Sequence, residues 1–160
     1  MGIAEIINTA KQAGCELLAE GEYIRITNTK CLPALLKEKI REHKAHILKF
    51  LNRDIQAKRA GFMIGLTGQV YTRSLSKNSI VFIEQIDNKW EAWRETYQKG
   101  KCKAVSVKII CSASTFEYVL LKTKNYFDYI ERKWGGNNEY QVSIHGQRTK
   151  GAAFFNHDSD

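Results

Sequence analysis

LLKEKIREHKAHILKFLNR, Leu35 to Arg53, is the stretch on which the fold of the N-terminal part turns. Six Lys or Arg residues and two histidines surround a row of branched apolar side chains. Leu36, Ile40, Ile47 and Leu51 keep a helical seam. His43 falls on that seam, so either a histidine packs inside one helix, or the helix breaks near Glu42–Lys44 and restarts. The break is the favoured reading.

Upstream, Ile3, Ile6, Ile7 and Ala10 repeat at helical spacing, and Gly14 is placed to end that helix. CELLA and EYIRIT read as two strands joined around Gly21. Alternation sends Tyr23, Arg25 and Thr27 one way and Ile24 and Ile26 the other, which makes a hairpin with one apolar face and one mixed, basic face. Pro33 can open the next helix because its missing N–H is harmless in a first turn. The order over residues 1–53 is αββαα.

Downstream, DIQAKRAGFMIGLTG (54–68) reads as a connector, either a fraying helix end or a glycine-rich bend. QVYTRS and SIVFIEQI read as strands. DNKWEAWRETYQKG reads as a helix capped by Asp87, with Trp90, Trp93 and Tyr97 on one face and Gly100 as its stop. CKAVSVKIIC and STFEYVLLKT read as β-rich runs, YFDYIERKWGG as a helix ended by Gly135–Gly136, and EYQVSIHG as a last strand. The fold class expected is therefore α+β. A small αββαα module (1–53) and a connector (54–68) precede a basic, mostly antiparallel α+β domain (69–148) and a flexible tail (149–160). Of 17 aromatic residues, only Tyr23 and Phe50 precede Asp54. Because aromatic side chains dominate core burial, this asymmetry marks two separately built units.

The 160 residues carry a formal charge of +8, which favours acidic partners such as nucleic acid or acidic peptides. No apolar run approaches the roughly 20 residues of a membrane span, and no membrane association is expected. The N-terminal segment has Glu5 early and neither a basic start nor an apolar core, so it does not read as a secretory signal. Cys15, Cys31, Cys102 and Cys111 form no CxxC pair and read as reduced thiols of a cytoplasmic protein.

The order of parts in the N-terminal module resembles the TubC N-terminal docking domain family, over about residues 2–53. The resemblance rests on a helix running into AKQAGCELLAEGEYIRIT, then on Glu42, His43, Lys44, Ile47, Leu48 and Leu51 within LLKEKIREHKAHILKFL. It implies a unit that pairs as a homodimer and holds the acidic C-terminal tail of a partner protein along its hairpin. Carried onto this chain, it implies docking residues Tyr23, Arg25 and Thr27, with Lys30 nearby. The chemistry is coherent: a strand edge supplies backbone hydrogen bonds and basic side chains select acidic peptide. Residues 54–160 resemble no family.

No metal or cofactor is expected. His43 and His46 lie three apart, but no acidic or thiol side chain completes a ligand set, and HKAH lacks the glutamate of HExxH. GFMIGLTGQ lacks the Gly-Lys-Ser/Thr ending of a phosphate loop. No cysteine has a histidine close in sequence, and the carboxylates form no paired constellation, so no enzyme is expected. Basic residues interleaved with aromatic rings suit nucleic acid, the rings meeting bases and the cations phosphates. The candidates are Arg94, Lys99, Lys101 and Lys103, with Lys122 and Lys124 in a second set near Tyr126 and Tyr129. The function expected is a non-enzymatic adaptor that docks a partner protein through its N-terminal module and engages a second macromolecule, nucleic acid first, through its basic C-terminal domain. The alternative is a nucleic-acid-binding accessory or host-targeting inhibitor protein of a phage or mobile element, dimerised by residues 1–53.

Overall fold

In a computed structural model, which describes residues 1–136, Gly14 adopts φ 85° just beyond the helix α1 (Ile3–Gln12). Its N–H donates to the Lys11 carbonyl and that of Cys15 to the Ala10 carbonyl, both satisfying end carbonyls of the helix. At the other end the Glu5 carboxylate accepts the Gly2 N–H at 3.2 Å. The left-handed turn at Gly14 redirects the chain into β1 (Leu17–Glu20), which pairs antiparallel with β2 (Tyr23–Ile26). Gly21, at φ 61°, is the first of two turn residues, where a tight hairpin favours glycine.

After one 3-10 turn (Thr29–Cys31), Pro33 precedes α2 (Ala34–Glu42), and α3 (Lys44–Arg59) follows. His43 stands between them at φ −103° and ψ 18°, so the seam is broken where expected. The histidine backbone still bridges both helices: its N–H donates to the Lys39 carbonyl, and its carbonyl accepts from Ile47. Leu36, Ile40, Ile47 and Leu51 are buried with Ile6, Ile7, Ala10 and Leu17 in one core. Each fully buried isoleucine there is worth about 2 kcal/mol relative to exposure.

The chain divides into two units, Met1–Val70 and a second that begins at Tyr71. Residues 54–68, read from sequence as a connector, lie inside the first unit. They form the end of α3, a turn at Gly61, and β3 (Met63–Leu66). Gly68 shows why this stretch is held down. The Asp54 carboxylate accepts its N–H at 2.8 Å, and the Arg53 guanidinium donates to its carbonyl at 3.1 Å. Arg53 and Asp54 are both buried, and a Cβ at Gly68 would lie 2.3 Å from the Phe50 ring.

From Tyr71 onward the second unit takes in the rest of β4 (Val70–Ser74), then β5 (Ser79–Ile86), β6 (Lys89–Tyr97), β7 (Ala104–Ala113) and α4 (Phe116–Gly136). Strands β4 to β7 lie in chain order in the sheet, with β5–β6 and β6–β7 antiparallel. Two expectations are corrected. DNKWEAWRETYQKG is not a helix: Asp87 and Asn88 make a two-residue hairpin turn, Asp87 at φ 55°, Lys89–Tyr97 is β6, and Gln98 to Gly100 begin the next turn. Trp90, Trp93 and Tyr97 fit helical spacing, but pairing along both edges of β6 overrides that local pattern. STFEYVLLKT is not a strand either; from Phe116 onward it is the start of α4. Phe116, Val119, Leu120, Phe127, Ile130 and Trp134 are buried at helical spacing, and their unit's sheet supplies buried Tyr71, Val81, Ile83, Trp90 and Ala92. The class is α+β, as expected. EYQVSIHG and the tail 149–160 lie outside the described residues.

Candidate functional site

The hairpin of the first unit turns Leu17, Ile24 and Ile26 towards the helices and leaves the opposite face to solvent. Tyr23 is 71% exposed, and the Lys44 ammonium lies 4.9 Å from its ring centroid. Lys44 was missed by sequence reasoning, since nothing in a helix-start lysine signals a strand tyrosine as its neighbour. Arg25 and Glu20 form an exposed ion pair, so the charge of this face is partly answered within the hairpin. The Thr27 hydroxyl accepts the Glu16 N–H at 2.8 Å and thereby closes the hairpin. Lys30 is exposed on the 3-10 turn. Tyr23, Arg25 and Lys44 therefore surround a two-stranded sheet in which β2 pairs only with β1 among the described residues.

Along β1 runs a cleft of about 180 Å³ that sequence reasoning also missed. Four consecutive residues, Glu16 to Ala19, line it, so it follows the strand's backbone. Ile7 and Leu51 contribute apolar walls, and Lys11 and Lys58 contribute cationic ones.

In the second unit the strand assignment of β6 separates the aromatic side chains that a helix would have aligned. Trp90 is buried against Phe116, ring centroids 4.9 Å apart. Trp93 lies on the other face, stacked on Phe82 at 5.3 Å, and donates its indole N–H to Glu95 at 2.9 Å. Tyr97 donates its hydroxyl to the same carboxylate. That bond, then burial and the nearby negative charge, raises the Tyr97 phenol above its ordinary pKa.

Arg94 faces α4 instead, where its guanidinium donates to the Tyr126 hydroxyl at 3.2 Å. The Lys108 ammonium, from β7, lies 5.8 Å from the same ring's centroid. One turn earlier on α4, the Lys122 ammonium is 5.4 Å from the Tyr118 ring, and Tyr118 is 48% exposed. The structure thus brings Arg94 and Lys108 together at Tyr126, with Lys122 one turn earlier on α4. Lys124 is exposed but lies about 200° around the helix from Lys122 at ~100° per residue. Lys99, Lys101 and Lys103 are exposed on the β6–β7 turn, with Gly100 at φ 79°.

Among the described residues, no three His, Cys, Asp or Glu side chains converge on a common point, and no helix is long and apolar enough to cross a membrane. All four cysteines are free thiols; Cys15 is buried and donates to the Asn28 carbonyl. The fold defines an α+β chain of two units. No protein-family model matches the chain, and no curated protein or solved structure matches it.

Proposed function

We propose that the protein is a non-enzymatic adaptor, its first unit docking an extended acidic peptide of a partner protein and its second engaging nucleic acid. One observation carries the docking half: β2 has a strand on one side only, and beside it stand an exposed tyrosine and two cations, Arg25 and Lys44. An incoming strand takes its affinity from backbone hydrogen bonds and its specificity from flanking side chains. Arg25 exchanges Glu20 for a peptide carboxylate at little cost, because an exposed ion pair is worth at most about 1 kcal/mol. The N-terminal resemblance to docking domains points the same way. The nucleic-acid half is supported by Arg94, Lys108 and Lys122 interleaved with Tyr126 and Tyr118, cations for phosphates beside rings for bases.

The test is a titration of the full chain with synthetic extended peptides that end in Asp and Glu, alongside a labelled single-stranded oligonucleotide at low salt. Binding of acidic peptide that Tyr23→Ala and Lys44→Glu each weaken supports docking. Oligonucleotide binding with no response to any acidic peptide overturns the docking half and leaves a nucleic-acid-binding accessory protein.

A further inference from the structure

We infer that the first unit accepts a second kind of guest, an extended and mostly apolar peptide segment bearing one carboxylate, along the outer edge of β1. This edge is separate from the β2 edge and its claim does not depend on docking there. The hairpin ladder fixes which backbone groups are free. The Thr27 N–H donates to the Glu16 carbonyl, so Glu16 and Thr27 are a hydrogen-bonded pair. Such pairs alternate along an antiparallel ladder, which makes Leu18–Arg25 and Glu20–Tyr23 hydrogen-bonded as well. Leu17 and Ala19 therefore aim their N–H and C=O groups away from β2.

The 180 Å³ cleft opens on those groups. Leu17 and Leu18 put their side chains on opposite faces of the hairpin, yet both line it, and no residue of β2 does. Only the free edge of β1 satisfies both conditions. Leu17 is 5% exposed, and among the described residues nothing hydrogen-bonds its outward N–H and C=O. Buried backbone groups without a partner are costly and scarce. Two donors and two acceptors on alternate residues, about 7 Å apart along a strand, match the alternate residues of another extended chain.

The walls select the guest's side chains. Ile7 and Leu51 are apolar and buried, which suits branched aliphatic residues. Lys11 and Lys58 are exposed, and neither forms an ion pair among the described residues. Of the two carboxylates in the lining, Asp54 already accepts the Gly68 N–H at 2.8 Å, and Glu16 is exposed. Two cations against one uncommitted carboxylate favour a guest with a single negative charge. The four residues Glu16 to Ala19 span about 13 Å, so the guest pairs over four or five residues.

Amide hydrogen exchange of the isotope-labelled full chain, with the blocked peptide acetyl-Val-Thr-Val-Thr-Asp-amide as probe, tests the inference. In the free chain the Leu17 and Ala19 amides should exchange faster than those of Leu18 and Glu20. Saturating peptide should slow Leu17 and Ala19 by about tenfold or more and leave Ile24 and Ile26, the outward amides of β2, unchanged. Two versions of the peptide N-methylated on alternate amides should part, one losing binding by about tenfold or more and the other keeping it. Lys58→Glu, at an exposed position, should weaken the probe by about two- to fivefold and weaken its Asn-ending counterpart less. Leu17 and Ala19 as protected as Leu18 in the free chain would mean that the chain fills its own edge, which overturns the inference. So does a peptide that is indifferent to both methylation patterns, or one that fails to bind at millimolar concentration. Protection of Ile24 and Ile26 in place of Leu17 and Ala19 also overturns it, and leaves docking at β2 standing.

Discussion

Gly68 is the residue that ties 54–68 to the first unit. It needs a left-handed backbone, φ 71°, and a side chain there would run into Phe50. Gly68→Ala should destabilise the protein by about 3 kcal/mol, adding left-handed strain to overpacking. A urea unfolding midpoint followed by circular dichroism reads this, and a change below about 1 kcal/mol contradicts it. The sequence showed three glycines and so suggested a bend. That Arg53 and Asp54 reach across fourteen or fifteen residues to grip the third is not legible in any local pattern. Tyr97 gives a second expectation. Its hydroxyl donates to Glu95, so the protonated phenol is the form the fold favours. The raised pKa makes that contribution fully present below the ordinary phenol value and lost as pH rises through the raised one. An ultraviolet titration should show Tyr97 ionising at lower pH in Glu95→Gln than in the natural protein. No change would remove the carboxylate as the cause.

At the scale of elements, the helices and hairpin of the first unit were legible because each carries its own punctuation. Gly14 stops α1, Gly21 turns the hairpin, and His43 interrupts the seam between Ile40 and Ile47. β6 was not legible for the opposite reason. Trp90, Trp93 and Tyr97 satisfy a helical spacing, while alternation splits them between two faces, and only pairing with β5 and β7 decides between the two. α4 was misread at its start because Val119, Leu120 and Leu121 make a short apolar run that either period accommodates. The strand assignment makes the two tryptophans unequal. Trp90→Ala empties a core site 2% exposed and should cost about 3–5 kcal/mol. Trp93→Ala loses mainly a stacked pair, about 1 kcal/mol beyond its area. Equal costs in thermal or urea unfolding would contradict the placement of these rings on opposite faces.

For the whole molecule, the candidate residues were partly legible and their grouping was not. Arg94 reaches Tyr126 on α4 across 32 positions of sequence, one turn beyond Lys122, whose ammonium lies over Tyr118. Lys108 reaches the Tyr126 ring from β7, a neighbour that no local pattern reveals. The grouping sets an expectation for salt dependence. The logarithm of oligonucleotide affinity should fall linearly with the logarithm of salt concentration, and Lys122→Glu should reduce the slope by about one. Of the proposed docking face, Tyr23 and Arg25 are legible in the sequence, while Lys44, at the start of α3, enters only through the fold. The central claim is that each unit carries its own binding face. It is tested most directly by backbone amide shifts of the isotope-labelled full chain, titrated separately with an acidic extended peptide and a single-stranded oligonucleotide. The peptide should move amides of Tyr23 to Ile26 and Lys44, and the oligonucleotide those of Arg94, Lys108 and Tyr118 to Tyr126, with no overlap. Shifts in one shared set of amides for both ligands, or none in either set, would contradict it.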